Sequence, residues 1–323
     1  MGTRSPGGAV RDRGQDGSVE AAPHLRPAPA EQASAIAELT PGPFSGRYAC
    51  VRKDRLTART GAPYLSLELR DRTGTIPARV FRDVDRLAAG FERGDPVEVR
   101  GKVERFRGQL VAELDWIRPL DSDQVDPAEF LPAAYRNAEE LDGFLEHLVR
   151  EVHDPALRRL TEQILFNEPL AADFRRAPCT RGGHHAYLGG LIEHTVAVGT
   201  LVSEVVTLHP RLDSDLLMAA ALLHDVGRAR EFSYGAEIGL SEEGRLLGHL
   251  QIGAEIIGSA AAGLAPGRRA ALLSCVLAHH GTEALRMRGF PSPEAVALYR
   301  LNALDAQVKG ALEHGIQATG RLG

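Results

Sequence analysis

The sequence predicts a multidomain protein of mixed α and β class, a small five-stranded β-barrel followed by an all-α helical bundle. Three observations carry this expectation. Apolar residues recur with period two from Phe44 to Leu120, and they recur at helical spacing beyond about residue 137. Between these regions, Asp121 to Pro132 is polar and proline-bearing. At 323 residues the chain is long enough for two domains, each with its own core.

Residues 1–40 are rich in Gly, Pro, Ala, Arg and Ser without aliphatic periodicity, and read as a disordered tail. The barrel is expected over 41–121. Tyr64, Leu65, Leu67 and Leu69 lead to the turn Asp71-Arg72-Thr73-Gly74, and Ile76, Ala78 and Val80 follow. A short helical stretch falls near Val84 to Ala89. Val97, Val99 and Val103 alternate before Arg107-Gly108, then Leu110, Ala112, Leu114 and Trp116 alternate again. Short strands with Gly-containing turns fit a small closed barrel, with a meander or sandwich fragment as competitors.

Residues 122–136 read as a linker and 137–323 as the helical domain. Glu139 to Val152 is amphipathic, and Ala186 to Leu208 is a long helix carrying His194. Asp213 or Ser214 can cap a helix ending at His224-Asp225, with Gly227 just past it. Leu246 to Ala261 carries His249 on its first turn, and Arg268 to His280 stops at Gly281. Ser292-Pro293 is a cap and first-position proline opening a helix through Asp305.

Composition sets outer bounds. The net charge of −5 is uneven: residues 41–121 carry sixteen Lys/Arg against twelve Asp/Glu, and residues 122–323 carry eighteen against twenty-six. A locally basic module beside an acidic one suits a polyanion binder joined to a cation-holding domain. No stretch is expected to cross a bilayer, because the richest apolar run, Leu216 to Leu223, stops at His224. Cys50, Cys179 and Cys275 are odd in number and scattered, so reduced thiols in a cytoplasmic protein are the expectation.

Seven residues stand out: His194, His224-Asp225, His249, His279-His280 and Asp305. Eight of the twelve histidines fall between His184 and His280, several behind apolar runs such as Ala219 to Leu223. A lone histidine is more often a satisfied core or surface residue. Several ionisable groups on apolar faces need partners, and shared cations supply them. Imidazole and carboxylate without cysteine suit borderline divalent metals such as Mn, Fe, Co or Zn. Two such ions about 3.5–4 Å apart form a phosphoester-cleaving centre.

The order His, His-Asp, His, His-His, Asp within 181–308 resembles the HD superfamily of metal-dependent phosphohydrolases. HHAYLGGLIEHT (184–195), LLHDVGR (222–228), EGRLLGHLQIG (243–253), AHHG (278–281) and ALDAQV (303–308) look more specifically like YhaM-type 3′–5′ exoribonucleases. Residues 44–121, with KDRLTARTGAPYLSLELRDRTGTIPARVF, resemble the OB-fold that precedes the HD domain in that family. The resemblance implies His194, His224, Asp225, His249, His279 and Asp305 as ligands of two ions, with Asp225 the bridge. His280 is a further metal candidate, or a substrate contact. The resemblance implies Mn²⁺ as the working metal, with Co, Fe, Mg and Zn as alternatives, and nucleoside 5′-monophosphates as products.

Three departures from the pattern bear on substrate contacts. Arg228 stands where the family usually has lysine; it keeps the charge in a planar form and is expected to grip phosphate. Asn302, Ala303 and Gln307 replace the usual neighbours of the last aspartate. The loop from Glu283 to Pro293 also differs.

Catalytic roles are expected of Asp225, Arg228, His184 and His185. The His184-His185 pair, with Arg181 nearby, either contacts phosphate at a helix N-terminus or is a solvated loop. Gly189-Gly190 in mid-helix would cost roughly 1 kcal/mol per glycine, which suggests close approach of another backbone or a substrate. On the barrel, Tyr64, Phe81, Phe106 and Trp116 can stack on bases among Lys53, Arg55, Arg79 and Arg105. The plain alternative is that Tyr64 and Trp116 fill the barrel. The expected partner is single-stranded RNA or DNA, with no membrane, and a homo-oligomer is compatible. Competing readings are an enzyme acting on a small nucleotide, and a binding protein with a relic site.

Overall fold

The computed structural model describes residues 35–121, 125–283 and 288–315. The expected tail therefore lies outside the described residues up to position 34. Its last stretch does not behave as a tail. Ile36–Glu38 forms a 3₁₀ turn, Ile36 and Leu39 are buried in the barrel core, and the Ile36 amide donates to Asp71 Oδ2 at 2.7 Å. Two apolar side chains in an otherwise polar stretch suffice to dock it.

Five strands form the barrel: β1 (Gly42–Thr57), β2 (Pro63–Asp71), β3 (Gly74–Val80), β4 (Pro96–Phe106) and β5 (Gln109–Pro119), with α1 (Val84–Ala88) between β3 and β4. The strand order is β1-β2-β3-β5-β4, closed, with β3 and β5 parallel. Alternation places Leu65, Leu67, Leu69, Ile76, Ala78, Val80, Val97, Val99 and Val103 inside.

The phase expected for the end of β5 is corrected. Arg100 pairs with Trp116 but Gly101 pairs with Leu114, so Asp115 is an extra residue in the ladder. That bulge reverses the alternation. Ile117 turns inward, and Trp116 lies outside between Arg100 and Arg118, with guanidinium carbons 4.8 and 5.9 Å from its ring.

The expected linker is not a free tether. Phe130 and Leu131 are buried, and the Leu188 amide donates to the Pro132 carbonyl (3.0 Å). Phe130 shares a small core with Ala49 of the barrel and Ala236 of the helical domain, and Arg70 Nη2 donates to the Ala236 carbonyl at 2.6 Å.

The helical domain contains α2 (Ala138–Arg150), α3 (Pro155–Phe166), α4 (Leu170–Arg176), α5 (Gly190–Leu208), α6 (Ser214–Leu223), α7 (Arg228–Glu231), α8 (Glu242–Ala260), α9 (Pro266–Leu277) and α10 (Pro293–His314). Contrary to expectation, it is not wholly α. A hairpin, β6 (Phe232–Tyr234) with β7 (Ile238–Leu240), follows α7. The caps match the chemistry: Asp213 accepts from the Leu216 amide and Ser292 from the Ala295 amide.

A second correction concerns α5, which starts at Gly190 rather than Ala186. Gly189 precedes it at φ 77°, and a Cβ on Gly190 would meet the His185 carbonyl oxygen at 2.1 Å. The two glycines lie at the helix start, where the chain folds back on itself. A third correction follows: among the described residues α5 is long and apolar enough to cross a bilayer, although none was expected. Here it is the central helix of the bundle, with Leu191, Val198 and Val202 buried.

Candidate metal centre

The candidate side chains reach the bundle centre from helix ends, from a kink and, for Asp305, from the middle of α10. His194 projects from the second turn of α5. His224 and Asp225 occupy the turn after α6, so the adjacent pair can face one centre despite the ~100° step along a helix. His249 restarts α8 after a kink at Gly248 (φ 71°, ψ 160°). A Cβ on Gly227 would meet the His249 carbonyl oxygen at 2.1 Å, so the turn after Asp225 packs directly on that kink. His279 and His280 follow the end of α9, and Asp305 lies on α10.

The ligand-capable atoms converge. His194, His184, His185 and Asp305 offer atoms within 4.8 Å of one another, and so do Asp225, His249, His279 and His280. His224 joins the two groups: its Nε2 is 3.2 Å from His194 Nε2, and its ring is 4.8 Å from that of His279. Asp225 divides its oxygens between imidazole pairs. Oδ2 lies 3.8 Å from His194 Nε2 and 3.6 Å from His224 Nε2, while Oδ1 lies 3.5 Å from His249 Nε2 and 3.3 Å from His279 Nε2.

Hydrogen bonds set the tautomers. Nδ1–H of His224 donates to the Ala221 carbonyl at 2.8 Å, and Nδ1–H of His279 to the Val276 carbonyl at 2.6 Å. Both Nε2 lone pairs therefore face the centre. Burial pushes the His224 pKa well down, keeping that imidazole neutral. Burial alone would raise the Asp225 pKa, but Arg228 and the imidazoles outweigh it and hold the carboxyl well below its usual range.

The arrangement fits a cation by a direct test. Asp225 Oδ1 and His279 Nε2 are buried and lack a properly directed hydrogen-bond partner. Buried polar atoms left unsatisfied cost about 1–3 kcal/mol each. A divalent ion would engage such lone pairs, and the donor set suits one.

The surroundings hold residues that sequence reasoning missed or read differently. Arg228 is buried; its Nε lies 2.7 Å from Asp225 Oδ2 and its Nη1 donates to Glu231 Oε2 at 3.2 Å. Its guanidinium is thus engaged with two carboxylates rather than open to a phosphate. Glu231, three residues on, also accepts from the His249 amide at 3.1 Å. Asn302 Oδ1 is 3.0 Å from His194 Nε2, and its Nδ2 donates to the His279 carbonyl. Cys179 Sγ is 3.7 Å from Asp225 Oδ2.

His185 is buried at φ 50°, with Nδ1 2.9 Å from the Tyr187 hydroxyl and Nε2 3.0 Å from Asp305 Oδ2. Burial opposes its charge, but Asp305 and Glu193 outweigh burial and raise its pKa. It is not a solvated loop histidine. His184 is half-buried, its ring 5.1 Å from that of His194, and burial lowers its pKa to about 4. A cavity of about 660 Å³ borders the cluster at His185, Glu193 and Asp305, with Phe144, Leu304 and Lys309 also in its wall.

On the barrel, Tyr64 and Phe81 stack with centroids 5.5 Å apart, and Phe81 and Phe106 are nearly half exposed. Arg79 lies 4.6 Å over Phe106, and Arg105 is exposed beside it. Trp116 is set apart, six residues along the β4–β5 ladder from Phe106. Two expected contacts are engaged elsewhere. Lys53 Nζ donates to the carbonyls of Ala88 and Phe91 and is mostly covered, and Arg55 pairs with Asp85 at 2.9 Å.

Fold and cluster together define a class: an OB-type barrel fused to an HD-type helical domain. Family models agree, the HD domain matching residues 191–307 and the OB-fold nucleic acid binding domain residues 49–119. The 3′-5′ exoribonuclease YhaM of Halalkalibacterium halodurans is 31% identical over 261 residues, covering 79% of this chain and 80% of that protein. The YhaM of Bacillus subtilis strain 168 is 30% identical over 258 residues, covering 78% and 81%. The chain belongs to the YhaM 3′-5′ exoribonuclease family. Among solved structures, the second OB-fold domain of replication protein A from Methanococcus maripaludis covers 27% of this chain at 27% identity, with a TM-score of 0.22.

Proposed function

We propose that this protein is a metal-dependent 3′–5′ exonuclease that hydrolyses single-stranded RNA, and DNA as a second substrate, to nucleoside 5′-monophosphates. The observation that carries the reading is the Asp225 carboxylate, whose two oxygens each face a different pair of imidazoles. Such a carboxylate would hold a cation at either oxygen. His194, His224 and Asp305 would complete one position, and His249 with His279 the other, with His280 at the exposed edge. Mn²⁺ is the proposed metal. When bound, the ions supply Lewis acidity toward a phosphoryl oxygen and lower the pKa of water.

The chain's own groups prepare that chemistry. Arg228 keeps Asp225 ionised and oriented, and Glu231 holds both Arg228 and His249. His185 orients Asp305. His184, neutral at ordinary pH and with an unpartnered nitrogen, would contact the scissile phosphate. The 660 Å³ cavity, within the usual range for a small-ligand site, would take the terminal nucleotide. On the barrel, the Tyr64–Phe81 stack and Phe106 would hold upstream bases, each stack worth about 1–3 kcal/mol. The buried, unpaired thiols fit a cytoplasmic setting.

The test is digestion of 3′-labelled and 5′-labelled RNA with a panel of divalent metals. A 3′-label should be released as mononucleotide while a 5′-label shortens progressively. His224→Ala with Asp225→Ala should abolish cleavage and leave RNA affinity unchanged. Cleavage retained by that variant would falsify the site, and loss of the 5′-label first would reverse the polarity.

A further inference from the structure

A second cavity, about 450 Å³, lies at the junction of barrel and helical domain. Arg70 of β2 and Arg93 line it from the barrel side; Arg181, Gly182, Ala186 and Glu237 line it from the helical side. Three guanidinium groups meet one carboxylate there. Their donors are largely unengaged. Among the described residues Arg93 and Arg181 are exposed with no hydrogen-bond or ion-pair partner, and Arg70 Nε is buried without one. Elsewhere on the barrel, Arg55 and Arg118 have carboxylate partners at 2.9 and 2.6 Å. Gathered like charges repel, and an anion among them reverses the sign.

The cavity also occupies a path. Leu65, Leu67 and Leu69 of β2 are buried, so Tyr64, Ser66, Glu68 and Arg70 share the outward face. Six residues at about 3.3 Å each separate Tyr64 from Arg70, roughly 20 Å. At the far side, Arg181 stands three residues before His184, whose ring is 5.1 Å from that of His194. The cavity thus lies between the strand that carries Tyr64 and the loop that leads to His184.

We propose that Arg70, Arg93 and Arg181 form a phosphate-binding groove that carries the backbone of a single strand from the barrel to the metal centre. This rests on the exonuclease reading. Guanidinium forks match phosphate oxygens in pairs, which suits a backbone grip without base preference. Arg70 also docks Ala236, so the informative substitutions are at the other two positions.

Full-length Arg93→Ala/Arg181→Ala is compared with the parent for binding a fluorescein-labelled U20 RNA in EDTA across a salt series. Affinity should fall about tenfold, and the log–log salt slope should flatten by about 1.4, from ~0.7 per lost contact on a single strand. Hydrolysis of bis(p-nitrophenyl) phosphate, too small to span the groove, should not change in Arg93→Ala alone. Glu237→Gln should tighten U20 binding. Unchanged affinity and slope in the double variant overturn the groove even if both proteins digest RNA. Groove-dependent binding by a parent that digests no oligomer overturns the exonuclease reading instead.

Discussion

At the scale of single residues, Arg228 shows how much of the centre depends on groups that bind no ion. Its guanidinium lies between Asp225 Oδ2 and Glu231 Oε2, nearly excluded from water. Removing one partner of a buried ion pair leaves an uncompensated charge, at about 3–5 kcal/mol. Arg228→Ala should therefore lower the thermal midpoint and weaken Mn²⁺ binding about 10- to 100-fold, read by calorimetric titration. Arg228→Lys keeps a charge but reaches one carboxylate at a time, and should fall between. Equal metal affinity in all three proteins would contradict the role. The clustering of the side chains from His194 to Asp305 was legible because chemistry-bearing residues recur in an ordered pattern on apolar faces. Glu231 and Asn302 were not, because a carboxylate three residues past Arg228 and an amide beside Asp305 acquire meaning only through contacts across the bundle.

At the scale of elements, the kink in α8 positions His249. Gly248 sits at φ 71° and ψ 160°, a region essentially closed to residues with a Cβ. Gly248→Ala should cost about 1–3 kcal/mol if the kink persists. If the helix straightens instead, His249 leaves Asp225 Oδ1. Either outcome separates the variant from the parent by denaturant midpoint, and straightening also weakens metal binding; a variant unchanged in both would remove the kink from the argument. At the α10 start, Ser292→Ala removes the acceptor for the Ala295 amide and should cost about 1 kcal/mol. Elements with strong local signals were readable: the Ser292-Pro293 start, the alternation of β2 and β3, the turn at Arg107-Gly108. The misread parts depend on pairing. The Asp115 bulge is defined only against β4, the β6–β7 hairpin has three residues per strand, and α5 begins at Gly190 because Gly189 before it takes a left-handed φ of 77°.

At the scale of the whole molecule, protons and cations compete for one buried cluster, so stability, pH and metal are linked. An ion that binds only the folded chain stabilises it by about 2.7 kcal/mol at one hundred times its dissociation constant. Chelation should lower the thermal midpoint, and Mn²⁺ should restore it. In the metal-free protein the sign of the pH dependence follows from the shifted groups. Burial lowers the His184 pKa from 6.5 to about 4 and the His280 pKa to about 3, and it holds the His224 pKa well below 6.5. Between those values and 6.5 the unfolded chain binds protons that the folded chain refuses, so stability falls as pH falls through this window. His185 opposes the trend: its raised pKa contributes stability that is complete below 6.5 and lost as pH rises through the folded value. Glu193 acts lower down. Burial would raise its pKa, but His185, Tyr187 and Lys309 hold it at about 2, so its contribution is present above 4.5 and disappears toward 2. With three lowered imidazoles against one raised, urea midpoints in EDTA should drop from pH 7.5 to pH 4.5. His184→Gln removes one of the groups that refuse protons and should shrink that drop. The same drop in parent and variant would mean that His184 does not titrate inside the folded cluster.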